Sequence, residues 1–98
     1  MHQEIVEKKL IFHLEGELNS YNAEEVEKEI DEAIAKGGFD TIVFEIGGLK
    51  YMSSAGLRIV AKLQQQYDDF SIINMSNDIY EVFVMVGFND LINIQRKK

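Results

Sequence analysis

The sequence predicts an α/β fold, a small sandwich with a mixed, mostly parallel sheet of about five strands and about three helices. Strand-like and helix-like segments alternate along the chain, which favours parallel strands joined by right-handed crossovers. The segment 41–46, TIVFEI, is apolar almost throughout, as expected of a central strand covered on both faces. With 98 residues and 46% hydrophobic content, the chain is expected to form a single domain over 1–98, in which 95–98 fray as a charged tail.

The strand predictions rest on alternating or continuous apolar runs bounded by turn signals. The predicted strands are residues 3–6, 9–14, 41–46, 70–75 and 91–94. Glu7 and Lys8 supply a hairpin turn between the first two strands, and the pair Gly47-Gly48 is expected to break the chain after the third.

Amphipathic periodicity predicts the helices, the clearest of which carries Val26 and Ile34 on one face and charged residues on the others. Asn22 is expected to cap this helix, Tyr21 to pack onto Val26, and Gly37 to end it. The other predicted helices are residues 55–66 and 78–86.

The third helix is apolar nearly all round, since Tyr80, Val84, Met85 and Phe88 join its inward-facing residues. Two interpretations are open. The helix is either buried beneath the tail, or it presents an exposed apolar patch for pairing or partner docking.

Charge and composition exclude several functional classes. Seventeen acidic against ten basic residues give a net charge of -7, the wrong sign for nucleic acid or an anionic membrane surface. The absence of cysteine removes disulfides, thiolate metal sites and cysteine nucleophiles. His2 and His13 have no neighbouring ligands in the sequence, so no metal site is expected. Without a secretory leader or a membrane-length apolar run, the chain is expected to be cytoplasmic.

The segment 51–58, YMSSAGLR, joins the third strand to the second helix, where α/β folds meet ligands and partners. A serine at the first helical position, Ser54, is expected to stand in water beside unpaired backbone N–H groups that receive a phosphate well. Arg58 lies one turn further on and leans back towards it. Lys62 and Gln65 extend this stripe into a polar, locally basic edge.

The same residues also have plain structural interpretations. Ser53 and Ser54 are both suited to capping a helix, and Arg58 and Lys62 to forming a solvated face. Gly56, which lacks a side chain, suits either close helix-to-strand packing or the close approach of a partner backbone.

Two motifs carry a resemblance to a known family. EGEL at 15–18 precedes the first helix, and IVFEIGGLKYMSSAGLRIV follows at 42–60. Together they resemble the STAS domain of anti-sigma factor antagonists, over nearly the whole chain. In that family an Asp precedes the phosphorylated serine, which the resemblance places at Ser54. Ser53 stands where the family has Asp, Ala55 where it has Ser or Thr, and Asn19 where an earlier turn has Asp.

The resemblance implies a regulator whose unphosphorylated form binds an anti-sigma factor and so releases a sigma factor. The implied partner is a serine kinase with a histidine-kinase-like ATPase fold, with a serine phosphatase as a further candidate. Phosphorylation of Ser54 would abolish binding. The partner-binding residues that it implies, together with those of the stripe, are Asn19, Ser53, Ser54, Ala55, Gly56, Arg58 and Lys62.

Two alternatives differ in class. One is a STAS interaction or small-ligand module whose serine is not phosphorylated, which Ser53 in place of Asp favours. The other is a serine hydrolase, but its Gly-x-Ser-x-Gly elbow would need glycine where Met52 stands. No histidine is placed to act as its base, so neither catalysis nor a cofactor is expected.

Overall fold

Nine elements make up the computed structural model, which describes residues 1–97. They are β1 (His2–Val6), β2 (Lys9–Leu18), α1 (Ala23–Lys36), β3 (Thr41–Met52), α2 (Ser54–Gln66), β4 (Phe70–Met75), α3 (Asn77–Val86), a 3-10 helix (Phe88–Asp90) and β5 (Asn93–Arg96). The strands form one sheet in the order β1-β2-β3-β4-β5, in which β1 and β2 are antiparallel and the other pairs are parallel. The predicted α/β fold with a mixed, mostly parallel sheet is confirmed.

The three helices cover only one face of the sheet. Because the strand order follows the chain order, successive right-handed crossovers place every connecting helix on the same side. Phe12, Phe44 and Ile72 lie side by side on that face and are completely buried. Their neighbours on the other face are mostly part-exposed. The prediction that β3 is covered on both faces is therefore wrong, although Val43 is buried there without joining the core.

Aromatic side chains occupy the middle of the core. The ring of Phe44 meets the rings of Phe12 and Phe70 edge to face, at centroid distances of 5.8 and 5.1 Å. Ile30 of α1, Val60 of α2 and Phe83 of α3 are almost wholly buried against this side of the sheet. Each helix therefore packs its apolar face against this core.

The central strands run further than the sequence suggested. β2 continues to Leu18 instead of ending at 14, and β3 continues to Met52 instead of ending at 46. The pair Gly47-Gly48 lies inside β3 because β2 is irregular beside it, with register shifts and Gly16 at φ +73°. A Cβ on Gly48 would come within 3.1 Å of Glu15 Cγ, so the glycine accommodates the neighbouring strand instead of ending its own.

The end of the described chain is ordered into the sheet. β5 begins at Asn93, not at 91, because the unpredicted 3-10 helix precedes it. Arg96 lies over the ring of Tyr80 at 4.3 Å, and the Lys97 amide donates to the Met75 carbonyl at 2.8 Å. The prediction of a frayed tail is wrong for 95–97, and residue 98 lies outside the described part.

The third helix is not buried beneath the tail. Tyr80 and Phe88 pack against the core, but Met85 is 84% exposed and Val84, Val86 and Leu91 are also exposed. The exposed-patch interpretation is the one that the structure supports. Within residues 1–97, no helix has the length and apolar character needed to cross a membrane.

Candidate functional site

The predicted junction lies at the carboxyl ends of two neighbouring parallel strands. Leu18, the last residue of β2, pairs with Met52, the last residue of β3. The amide of Ser53 donates to the Leu18 carbonyl at 2.8 Å, which holds the start of α2 beside the end of β2. Asn19 and Ser53 are thereby brought to the same edge of the sheet.

Ser53 caps α2. Its backbone is extended, with φ -83° and ψ 178°, and its Oγ accepts a hydrogen bond from the Ala55 amide at 3.2 Å. This confirms the capping role predicted for Ser53. It also leaves Ser54 as the first helical residue, and Ser54 is exposed. The hydroxyl-bearing residue at the mouth of the helix therefore meets solvent, as the sequence predicted.

Arg58 lies one helical turn after Ser54 and is exposed. Among residues 1–97 its guanidinium has no hydrogen bond or ion pair. Helical side chains lean towards the N-terminus, so this cation is available on the Ser54 side of α2. Gln65 is also exposed near the far end of the same helix.

Lys62 is engaged inside the domain. Its Nζ lies 3.0 Å from Glu27 Oε2 and 3.6 Å from Asp31 Oδ2, both on α1. The hydrogen bond that Lys62 donates to Glu27 raises the pKa of Lys62 above its ordinary value of 10.5; desolvation partly offsets this, and Asp31 adds a smaller upward contribution. Lys62 thus joins α2 to α1. Of the two cations in the predicted basic edge, Arg58 is the one without an ion pair among residues 1–97.

Gly56 faces the protein interior. A Cβ at this position would lie 2.7 Å from Met52 Cγ and 2.9 Å from Leu18 Cγ. Of the two roles considered for Gly56, close helix-to-strand packing is the one that fits. A partner contact through its buried Cα is not supported, and Ala55 is likewise partly buried against the core.

Asn19 organises the loop that leads into α1. Its Oδ1 accepts from the amides of Tyr21 and Asn22 at 2.9 and 3.2 Å, and its Nδ2 donates to Glu17 Oε1 at 3.3 Å. The donated bond needs an amide, which explains why asparagine suits this position beside a glutamate. Asn22 in turn bonds to the Asn19 amide and the Glu17 carbonyl.

The predicted start of α1 is therefore corrected. The Asn22 side chain makes no capping bond to the helix, since it is engaged by the loop. Tyr21 is 96% exposed, so it does not pack onto Val26. Tyr51, at the end of β3, is 51% exposed. The sequence analysis did not identify Tyr21 and Tyr51 as exposed aromatic residues beside the junction. Their positions, two residues from Asn19 and from Ser53, could have indicated this.

The hydrolase interpretation gains nothing from the geometry. His13 Nε2 is 2.6 Å from Glu4 Oε2, and no histidine within the described residues is hydrogen-bonded to Ser54. Among these residues, Ser54 therefore has no hydrogen-bonded histidine to activate it as a nucleophile.

A mixed sheet covered by helices on one face, with an exposed serine at the start of the helix after its third strand, defines a small α/β domain whose candidate site lies at the carboxyl edge of the sheet. The model of the STAS domain family matches residues 2–98, and the chain belongs to this family. Within it, the chain is a STAS domain of the anti-sigma factor antagonist type.

Relatives and solved structures agree with this assignment. BtrV of Bordetella bronchiseptica, which carries the name of an anti-sigma factor antagonist, is 37% identical over 83 residues, covering 81% of this chain and 71% of BtrV. The anti-sigma factor antagonist SpoIIAA in its unphosphorylated form superposes with a TM-score of 0.79 at 23% identity, covering 98% of this chain and 88% of that one. The phosphorylated form of SpoIIAA from Bacillus gives a TM-score of 0.71 at 22% identity, covering 98% and 91%. These two structures share the fold.

Proposed function

We propose that this protein is a binding regulator controlled by phosphorylation of Ser54. In its unphosphorylated form it binds an anti-sigma factor in the cytoplasm and so frees a sigma factor. The anti-sigma factor is a serine kinase with a histidine-kinase-like ATPase fold, and a serine phosphatase resets the switch. The name of BtrV and the two phosphorylation forms of SpoIIAA support this class of function.

The exposure of Ser54 is the observation that carries the proposal. A kinase must reach the hydroxyl of its acceptor, and Ser54 is exposed at the first position of α2. The positive end of the helix dipole and the first-turn amides favour a phosphate there. Ser53 supplies the cap through its own oxygen, so replacing the family's Asp by serine does not remove this local support.

Arg58 gives the added phosphate a local counter-charge. Phosphate and guanidinium form strong bidentate hydrogen bonds, and Arg58 is free of other partners among residues 1–97. Lys62 remains engaged by Glu27 and Asp31. Arg58 and the N-terminus of α2 would therefore hold the phosphate, and neither the sheet nor the other helices would need to move.

The electrostatic effect is large enough to separate a complex. Phosphorylation adds about -1.5 to -2 charges at neutral pH. The repulsion between one negative charge of the phosphate and one negative charge of the partner at contact distance is roughly 4 kcal/mol, at an effective dielectric of about 20. Moving an equilibrium from nearly all bound to nearly all free needs about 5.5 kcal/mol. Repulsion together with desolvation of the phosphate supplies this, so the switch needs no refolding of the domain.

The test is phosphorylation by candidate anti-sigma kinases of the histidine-kinase-like ATPase type with Mg-ATP, followed by intact mass spectrometry. Wild type and Ser53→Ala are expected to gain one phosphoryl group, and Ser54→Ala none. Ser54→Asp is expected to bind the same kinase more weakly than wild type. NMR shifts on phosphorylation should stay near residues 53–58, and widespread shifts would contradict the local switch.

A second candidate function is a STAS interaction or small-ligand module that is not phosphorylated. It is favoured by Ser53, which leaves no carboxylate directly before the acceptor. If a kinase that binds the wild type transfers no phosphoryl group and binds Ser54→Asp equally well, this second function replaces the first.

A further inference from the structure

A cluster of imidazole and carboxylate side chains lies on the face of the sheet that the helices leave open. Its members are His2 and Glu4 of β1 and His13 of β2. The sequence suggested that the two histidines have no companions, and the structure corrects this. Antiparallel pairing places His2 directly opposite His13, and Glu4 lies two residues along the same face of β1.

The ligand atoms of the three side chains are already close together. One nitrogen or oxygen atom from each lies within 4.8 Å of the others. His13 Nε2 is 2.6 Å from Glu4 Oε2, and the two imidazole rings have centroids 5.3 Å apart. A metal ion about 2.0–2.2 Å from three ligands holds their atoms at such separations after small side-chain rotations.

We propose that His2, Glu4 and His13 bind a divalent transition-metal ion, with Zn²⁺ as the ion that fits best. Two imidazole nitrogens and one carboxylate oxygen form a donor set suited to Zn²⁺, whereas Mg²⁺ and Ca²⁺ prefer oxygen ligands alone. Three protein ligands leave one position of a tetrahedral zinc site for water. Cu²⁺ would bind the same donors more tightly in a test tube, in keeping with its place in the affinity order.

Glu45 of β3 supports the orientation of His13. Its Oε2 lies 3.7 Å from His13 Nδ1, and its Oε1 accepts from the Gly47 amide, which fixes the carboxylate. When Nε2 binds the metal, the ring proton is carried by Nδ1 and faces this carboxylate. Such a carboxylate behind a metal-bound histidine fixes the tautomer and makes the ring a better ligand.

The surroundings allow an ion to enter. The side chains of His13 and Glu4 are 28% and 41% exposed, and His2 is exposed on the edge strand. The net charge of -7 favours the approach of a cation. A bound ion would join β1 to β2 through side chains, in addition to their backbone pairing.

The role of this site is separate from the proposed function at Ser54. The cluster lies on the open face near the amino-terminal strand, whereas Ser54 lies at the carboxyl edge of the sheet. Metal binding would stabilise β1 and leave phosphorylation of Ser54 unchanged. Failure of one proposal therefore does not entail failure of the other.

The experiment is a calorimetric titration of the untagged chain with ZnCl₂, in a buffer that does not chelate metals. Wild type is expected to bind one ion per chain. His2→Gln, Glu4→Gln and His13→Gln should each weaken binding at least tenfold, and Glu45→Gln by about 10- to 100-fold. Glu25→Gln, which removes an exposed carboxylate from α1, is the matched control and should bind as wild type does.

Two further measurements keep the result interpretable. Thermal unfolding in EDTA shows whether each variant is folded without metal, and addition of ZnCl₂ should raise the melting temperature of wild type but not of His13→Gln. In ¹H NMR spectra, the ring protons of both histidines should shift together on zinc addition. Absence of binding to wild type, or binding by His2→Gln and His13→Gln that is as tight as that of wild type, would overturn the proposal.

Discussion

Replacing Gly56 by alanine tests how α2 is held against the sheet. The added methyl carbon would lie 2.7 Å from Met52 Cγ, 2.9 Å from Leu18 Cγ and 3.0 Å from Leu18 Cδ2. Carbon atoms in good contact are about 3.5–4.0 Å apart, so α2 or its neighbours must move. Leu18 and Met52 are 1% and 6% exposed and have little free space to occupy.

The expected cost follows from two opposing effects. Forcing an extra methyl group into a packed core costs about 1–3 kcal/mol, and the short contacts place Gly56→Ala in the upper part of that range. The better helix propensity of alanine returns about 1 kcal/mol. The net loss of unfolding free energy is therefore about 1–2 kcal/mol. For a domain of this size, that lowers the melting temperature by about 4–16 °C.

Urea unfolding followed by circular dichroism measures this loss. Ala61→Gly, at a part-exposed position of the same helix, is the control for propensity alone and should cost about 1 kcal/mol. In a Leu18→Ala background the penalty of Gly56→Ala should shrink, because one of the two obstructing side chains is shortened. An unchanged or higher stability of Gly56→Ala would refute the packing argument. It would restore the interpretation that the glycine serves a partner's approach.

Substitutions at three other places in the domain test further features. Ser53→Ala should lower the unfolding free energy by about 1 kcal/mol through loss of the cap, whereas Ser54→Ala should leave it nearly unchanged; equal losses in urea unfolding would contradict this. Gly87→Ala should cost about 1 kcal/mol through backbone conformation alone, because Gly87 has φ 83° and open space around its Cβ direction; Gly87→Asn should recover part of that loss. Because its α1 partners raise the pKa of Lys62, its stabilising contribution is present below pH 10.5 and is lost as the pH rises further. The stability difference between wild type and Lys62→Gln should accordingly vanish in alkaline urea titrations, and a difference that persists there would argue against the ion pairs as its source.

Much of the fold was predictable because its signals are local. The apolar stripe of α1, the apolar run of β3 and the Ser53 cap each depend on residues within a turn or a few strand positions. Alternation of strands and helices then restricted the topology to parallel crossovers. The exposed first helical residue, Ser54, follows from the cap that precedes it.

The errors occurred where contacts outside the regular helix and strand patterns decide the local structure. The pair Gly47-Gly48 looked like a break, yet it lies inside β3 because the irregular edge of β2 needs room beside it. Asn22 looked like a cap, yet Asn19 and the Glu17 carbonyl engage its side chain. In each case a long-range pairing or a loop network overrode a local preference.

By itself, the sequence determined the α/β class, the order of the elements and the serine that opens α2, because helix periodicity and capping act between near neighbours. Only the tertiary structure decided that one face of the sheet stays open, that Lys62 of α2 pairs with carboxylates of α1 and that Gly56 serves packing. It also brought His2 and His13 together. These outcomes depend on strand register and on helix-to-sheet distance. Both are set by contacts between residues far apart in the chain, and such contacts produce no periodic pattern in the sequence.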